Sequence, residues 1–169
     1  MRLHGKINGG MKELAAALDL QTSAGDLSIT GTASSLTDAR AAAYDMQVKT
    51  RSLQLGKILK DTTMMGGLTA QLKIKGTGYD PEYARANMDG MVDAMTLNGY
   101  TYRQLTLTGS LDRQVATATA AIADSNINFN SKVEFDMAGS QPSLRANIAV
   151  DSIKLQALHL SADPFIFRG

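Results

Sequence analysis

The chain offers two near-neutral bases or imidazole ligands, His4 and His159. They lie in separate segments with no HxH, HxxxH or HExxH spacing, so neither reads as a metal ligand or a catalytic base. Acid–base chemistry would need two carboxylates face to face, and the candidate pairs are Asp124 with Asp136 and Asp89 with Asp93. Strand positions of this kind more often decorate a solvated face, and no glycosidase-type dyad is expected. With no cysteine, thiolate nucleophiles, thiolate zinc sites and disulfides are excluded together. A nucleophile elbow and a phosphate loop are both missing from the sequence, and Gly76-Thr77-Gly78 runs into Tyr79-Asp80-Pro81, which cannot open a dinucleotide-binding helix. The expectation is a protein that is not an enzyme and needs no metal or cofactor.

Binding chemistry is narrowed in the same way. With 17 Lys+Arg against 16 Asp+Glu the net charge is +1, which gives no field to hold nucleic acid. Tryptophan is absent and aromatics are sparse, so stacking platforms for bases or sugars are not expected, although Tyr100 and Tyr102 share one strand face. Methionine is concentrated in mid-chain, at Met64, Met65, Met88, Met91 and Met95, and could serve as ordinary core filling or as the deformable wall of an apolar groove.

The elements that position these side chains are strands. Leu68, Ala70, Leu72 and Ile74 alternate with Thr69, Gln71, Lys73 and Lys75, so an extended chain there has one aliphatic and one polar face. Leu105, Leu107, Gly109 and Leu111 repeat the pattern, as do Ile127, Phe129, Val133 and Phe135, and then Leu144, Ala146, Ile148 and Val150. Leu27/Ile29 and Tyr44/Met46/Val48 share the phase. Such windows predict about ten strands of roughly 8–12 residues in an antiparallel meander, an all-β class. Turns are expected at Asn8-Gly9-Gly10, Ala24-Gly25-Asp26, Asn98-Gly99-Tyr100 and Gly139-Ser140-Gln141-Pro142, with Asn98-Gly99 the strongest hairpin signal. Gly31, Gly76, Gly78 and Gly109 fall inside strand windows, which predicts bends, bulges or close approaches, and hence a curved sheet.

Residues 52–61 and 152–160 break the alternation. Each begins with Ser and spaces its apolar residues by three and four, which predicts two short amphipathic helices with serine caps, packed on the apolar face. Their likeness at an offset of 100 positions suggests a repeat, with blocks 1–61 and 62–160 within a single β-repeat region, residues 1–169. No apolar run reaches the roughly 18 residues of a membrane-spanning helix, and the N-terminus lacks a signal-peptide core. Such a chain is read as one domain or as a segment of a longer repetitive protein, with any targeting segment or membrane anchor lying outside these residues.

Three runs in order, Ser52-Leu53-Gln54-Leu55-Gly56-Lys57-Ile58-Leu59, then Gly66-Gly67-Leu68-Thr69-Ala70-Gln71-Leu72-Lys73-Ile74-Lys75-Gly76-Thr77-Gly78, then Asn98-Gly99-Tyr100-Thr101-Tyr102-Arg103-Gln104-Leu105-Thr106-Leu107-Thr108-Gly109-Ser110-Leu111, resemble the AsmA/TamB-like proteins of Gram-negative envelopes. The resemblance covers roughly residues 45–160 and implies a β-taco, an open trough or half-barrel with an apolar concave face. It further implies a periplasmic protein, anchored in the inner membrane through its full-length chain. Implied partners are phospholipid or another acyl lipid carried toward the outer membrane, or an outer-membrane barrel protein whose assembly it assists.

On this reading Leu68, Leu72, Ile74, Leu105, Leu107, Leu111, Ile127, Phe129, Val133 and Phe135 line the lipid groove by desolvating it. The alternative is a structural module that pairs its sheet edges with a partner. A closed β-sandwich with an ordinary core is a third option.

Overall fold

A computed structural model describes residues 2–10, 12–139, 141–164 and 166–167. Its strands are β1 (Arg2–Gly10), β2 (Glu13–Thr22), β3 (Gly25–Ser34), β4 (Ala43–Gln54), β5 (Met65–Thr77), β6 (Arg85–Leu97), β7 (Tyr100–Asp112), β8 (Val115–Ala123), β9 (Ile127–Asp136), β10 (Ser143–Lys154) and β11 (Ile166–Phe167). One short helix, α1 (Leu55–Leu59), joins β4 to β5. The eleven strands form one antiparallel sheet in which spatial order is sequence order, and the sheet is open, with β1 at one edge and β10 and β11 at the other. The all-β meander expected from the alternation is therefore the fold. It contains one strand more than the count of apolar windows, because two-residue β11 pairs only with Ile153 and Lys154.

Local chemistry explains the connections. Asn98 and Gly99 both adopt positive φ, 49° and 76°, the geometry of a type I′ turn, and join β6 directly to β7. Gly25 (φ 109°) opens β3. At the first hairpin the structure departs from expectation: Gly9 and Gly10 remain in β1, paired with Leu14 and Glu13, and residue 11 lies outside the described residues. Residue 140 of the Gly139–Pro142 turn lies outside the described residues. Gly31, Gly76 and Gly109 sit in register inside strands, whereas Gly78 (φ 70°) lies just beyond β5. The register shifts occur elsewhere, between Thr50 and Leu53 in β4, between Met65 and Leu68 in β5, at Asp93 of β6 opposite Thr69–Ala70, and between Val150 and Ser152 in β10. Such bulges bend a strand and increase its twist.

The second expected helix is absent. β10 continues through Ser152 to Lys154, and residues 155–160 form a compact turn in which the Leu158, His159 and Leu160 amides donate to the Lys154, Gln156 and Leu155 carbonyls, a mixture of spacings that never repeats into a helix. The serine caps are absent too. Gln54 precedes α1 and makes no side-chain cap bond, and Ser52 lies within β4 with φ 49°. Both serines adjoin strand bulges instead.

A single layer leaves little interior. Among the described residues the buried hydrophobic ones are Ala42, Ala70, Ala84, Val92, Ile122, Ile127 and Leu158. The chain exposes 11157 Å², against about 8,000 Å² for a compact monomer of 18.0 kDa. An excess of about 3,000 Å² is the signature of an uncovered sheet. The closed sandwich is excluded by this topology.

Candidate functional site

Cross-strand partners share a face, so the register defines two surfaces. One row across the sheet reads Leu18, Ile29, Val48, Leu72, Gly90, Leu107, Ala120, Ser131, Ile148. The next reads Ile7, Ala16, Gly31, Met46, Ile74, Met88, Gly109, Ala118, Val133, Ala146, and a third reads Leu14, Ala33, Tyr44, Gly76, Ala86, Leu111, Ala116, Phe135, Leu144. Ser131 and the Tyr44 phenol carry the polar side-chain groups of these rows. On the opposite surface, the row through Gln47, Lys73, Asp89, Thr108, Thr119, Lys132 and Asn147 is polar throughout.

The ten expected lining residues fall on or beside the apolar surface. Leu72 and Leu107 share the first row, Ile74 and Val133 the second, Leu111 and Phe135 the third. Phe129 pairs with Ile122, Leu68 pairs with Met95 beyond the β5 bulge, and Leu105 packs against the Ile122 cluster. Ile127 departs from the expected open lining, because it is buried with Ile122 beneath Leu158. The β1–β4 half, with Leu14, Leu18 and Leu20, extends the surface beyond the residues expected. Alternation marks it too, but Ala15 and Ala17 on the polar side of β2 dilute the contrast.

Glycine does specific work on this surface. A Cβ at Gly90 would lie 2.7 Å from Leu72 Cδ2, one at Gly76 2.5 Å from the Tyr44 ring, and one at Gly31 3.0 Å from Met46 Cγ. Large side chains lean over the gap each glycine leaves in the neighbouring strand, and so the apolar atoms close into a continuous surface. Met88 and Met95 belong to that surface, Met91 is exposed on the polar face opposite Gln71 and Thr106, and Met64, just before β5, is also exposed.

One end of the surface is closed by the turn after β10. Leu158 is 0% exposed over Ile122 and Ile127, flanked by Tyr100, Tyr102, Leu105, Phe129 and Ile153. The turn is fastened to the β6–β7 hairpin: Asn98 Nδ2 donates to the His159 carbonyl at 2.6 Å, and His159 Nδ1 lies 3.0 Å from the Asn98 carbonyl. His159 is thus a structural clasp in a left-handed backbone position (φ 58°). α1 does not act likewise, since Ile58 and Leu59 are more than half exposed.

Beside this plug the Tyr100 hydroxyl donates to Asp124, which also accepts from the Asn126 amide. Burial alone would raise the Asp124 pKa, but the bonds from Tyr100, Asn126 and Ser125 outweigh it and hold the carboxyl below its usual range. Burial first, and then the bond to Asp124, push Tyr100 upward. Because the folded Asp124 is shifted down and Tyr100 up, this pair contributes stability between about pH 4 and pH 10, and loses it on acidification through the carboxyl and on alkalinisation through the phenol. Tyr100→Phe should lower the thermal midpoint at pH 7 by a few degrees, about 1–2 kcal/mol, and flatten the acid limb of a melting-versus-pH curve. An unchanged acid limb would refute the assignment.

The remaining candidates for chemistry stay apart. Asp124 and Asp136 occupy opposite ends of the β8–β9 hairpin, and Asp89 stands on the polar face opposite Lys73. Tyr100 and Tyr102 pack edge to face on one another, with ring centroids 4.8 Å apart. Among the described residues no three His, Cys, Asp or Glu side chains cluster as metal ligands. Clefts of several hundred Å³ occur between long polar side chains, one of about 930 Å³ at the strand ends that carry Arg40, Glu82, Arg85, Asp112 and Arg113, and another of about 770 Å³ among Arg2, Asp19, Asp26, Lys49 and Gln71. Both mix charges of opposite sign. The apolar face is instead one broad open surface, whose distinguishing property is its continuity. Comparison of the chain with protein-family models, with curated proteins and with solved structures returns no match.

Proposed function

We propose that the chain is a non-enzymatic lipid-handling segment whose apolar sheet face holds or conducts phospholipid acyl chains between the inner and outer membranes of a Gram-negative envelope. The carrying observation is the unbroken apolar register across ten strands of a sheet that has no second layer. Each 100 Å² of that face covered by an apolar partner is worth about 2.5 kcal/mol, so an occupant is strongly favoured. Its dimensions suit acyl tails: from the Leu3 row to the Gly9 row is about 20 Å along the strands, longer than one leaflet of a roughly 30 Å hydrocarbon core. Head groups would remain at the polar rim. The resemblance to AsmA/TamB-like proteins, with their periplasmic setting, supports the same reading.

Native mass spectrometry of protein expressed in membrane-containing cells should show co-purified phospholipid. Leu107→Asp, at the centre of the face, should reduce bound lipid at least about tenfold, since a desolvated carboxylate costs several kcal/mol, while Lys73→Glu on the polar face should leave it unchanged. Protein that purifies lipid-free and takes up no fluorescent fatty acid would sink the proposal. A second reading, sheet-edge pairing with an outer-membrane barrel protein, draws on the unpaired backbone along β1 and β10.

A further inference from the structure

The two edges of the sheet match one another. β1 is nine residues long and exposed throughout, with Leu3 at 66% and Ile7 at 64%. On β10, Leu144 and Ile148 are 66% and 67% exposed, because β11 covers only Ile153 and Lys154. The stretch Ser143–Asp151, nine residues by number, therefore carries backbone donors and acceptors that no strand among the described residues meets on its outer side. Strands β1 to β10 alternate in direction, so β1 and β10 run oppositely. A second molecule placed beside the first by translation would bring its β1 antiparallel to β10 with both apolar faces on the same side.

We propose that a second copy of this chain adds its β1 to the bare edge of β10, in the register that sets Leu3 opposite Val150, Gly5 opposite Ile148, Ile7 opposite Ala146 and Gly9 opposite Leu144. In that register Ile148, Ile7 and Leu144 each meet a glycine or alanine of the other edge, the same large-over-small pairing that Leu72 makes with Gly90 and Met88 with Gly109 inside the sheet, and Leu3 meets the shorter Val150. A shift of two residues would oppose Ile7 to Ile148 and Gly5 to Val150, and lose it. Arg2 meets Asp151 on the polar side, and β11 stops the added strand at its end. The added strand gains a backbone ladder, and the contact is heterologous, so it propagates into chains of molecules with one continuous apolar face. The inference goes beyond the lipid reading and holds whether the face is filled or empty.

The absence of native cysteine makes the register directly readable. Lys6→Cys with Asn147→Cys places two thiols opposite one another at a cross-strand distance of about 5 Å, within disulfide reach. Mild oxidation of lipid-extracted protein should give a ladder of dimers and larger species on non-reducing gels. Lys6→Cys with Arg145→Cys, two residues out of register, should link at least about tenfold more slowly, and adding Ile148→Lys to the in-register pair should suppress the ladder while circular dichroism stays unchanged. A monomer-sized internal link would mean that the edges meet within one molecule. Equal linking by Asn147→Cys alone would mean β10 pairs with β10, and no linking would mean the edge takes another partner or none; each overturns the proposal.

Discussion

Truncating Leu158 to Ala should cost about 2–5 kcal/mol, the largest loss expected of any single apolar side chain in this molecule, whereas Ile58→Ala should stay within about 0.5 kcal/mol. The two residues hold corresponding places in segments that look alike in sequence, and a repeat taken at face value would predict equal effects. Their environments differ completely. Leu158 is 0% exposed above Ile122 and Ile127, in a sheet with few other buried side chains to share the load, and Ile58 is 54% exposed. Because the plug also orders the Asn98–His159 clasp, its removal should loosen the ends of β7 and β9 together. Urea melts of both variants test this, and a Leu158→Ala midpoint equal to that of Ile58→Ala would show that the plug does not hold the end of the sheet.

Gly56→Ala should also destabilise, by about 1–3 kcal/mol, although alanine is the better helix former by about 1 kcal/mol. Gly56 is the buried residue of α1, and a Cβ there would lie 2.1 Å from the Met65 carbonyl oxygen and 2.7 Å from that of Asp61. Backbone atoms cannot swing aside as a flexible side chain can. The Asp61 amide donates to Gly56 and the Met65 amide to Asp61, so the start of β5 would have to move with them. Lys57→Ala, one residue on and exposed, should leave the melt nearly unchanged. A Gly56→Ala protein as stable as the parent would show that the α1–β5 junction has slack.

These contrasts show where sequence carries structural information and where it does not. Alternation in β5, β7, β9 and β10 was legible because a half-buried strand needs apolar residues on one side only, and the same phase placed Leu72, Leu107 and Val133 on one surface. Register offered no local signal, and the bulges at residues 51–52 and at Asp151 are set by how neighbouring strands fit. The segments at 52–60 and 152–160 share composition, yet one makes a helical turn and the other a plug. The difference lies in the partner: Asn98 happens to stand within reach of His159 and has no counterpart beside α1. Ile127 was read as open lining for the same reason, since the cover that buries it arrives from Leu158. The function of the apolar face is legible only as a physical demand for a cover.

Because each strand pairs only with its neighbours in sequence, the chain has almost no long loops to close as it folds, and its contact order is low for a β protein. Its stability resembles a sum of nearest-neighbour terms, as in a solenoid. Order can start at the tight β6–β7 hairpin and spread outward like a zipper, and it frays inward from β1, whose residues are all exposed. The molecule is accordingly tolerant at its margins and stiff at its middle, so strands can be gained or lost at the rim without disturbing the centre.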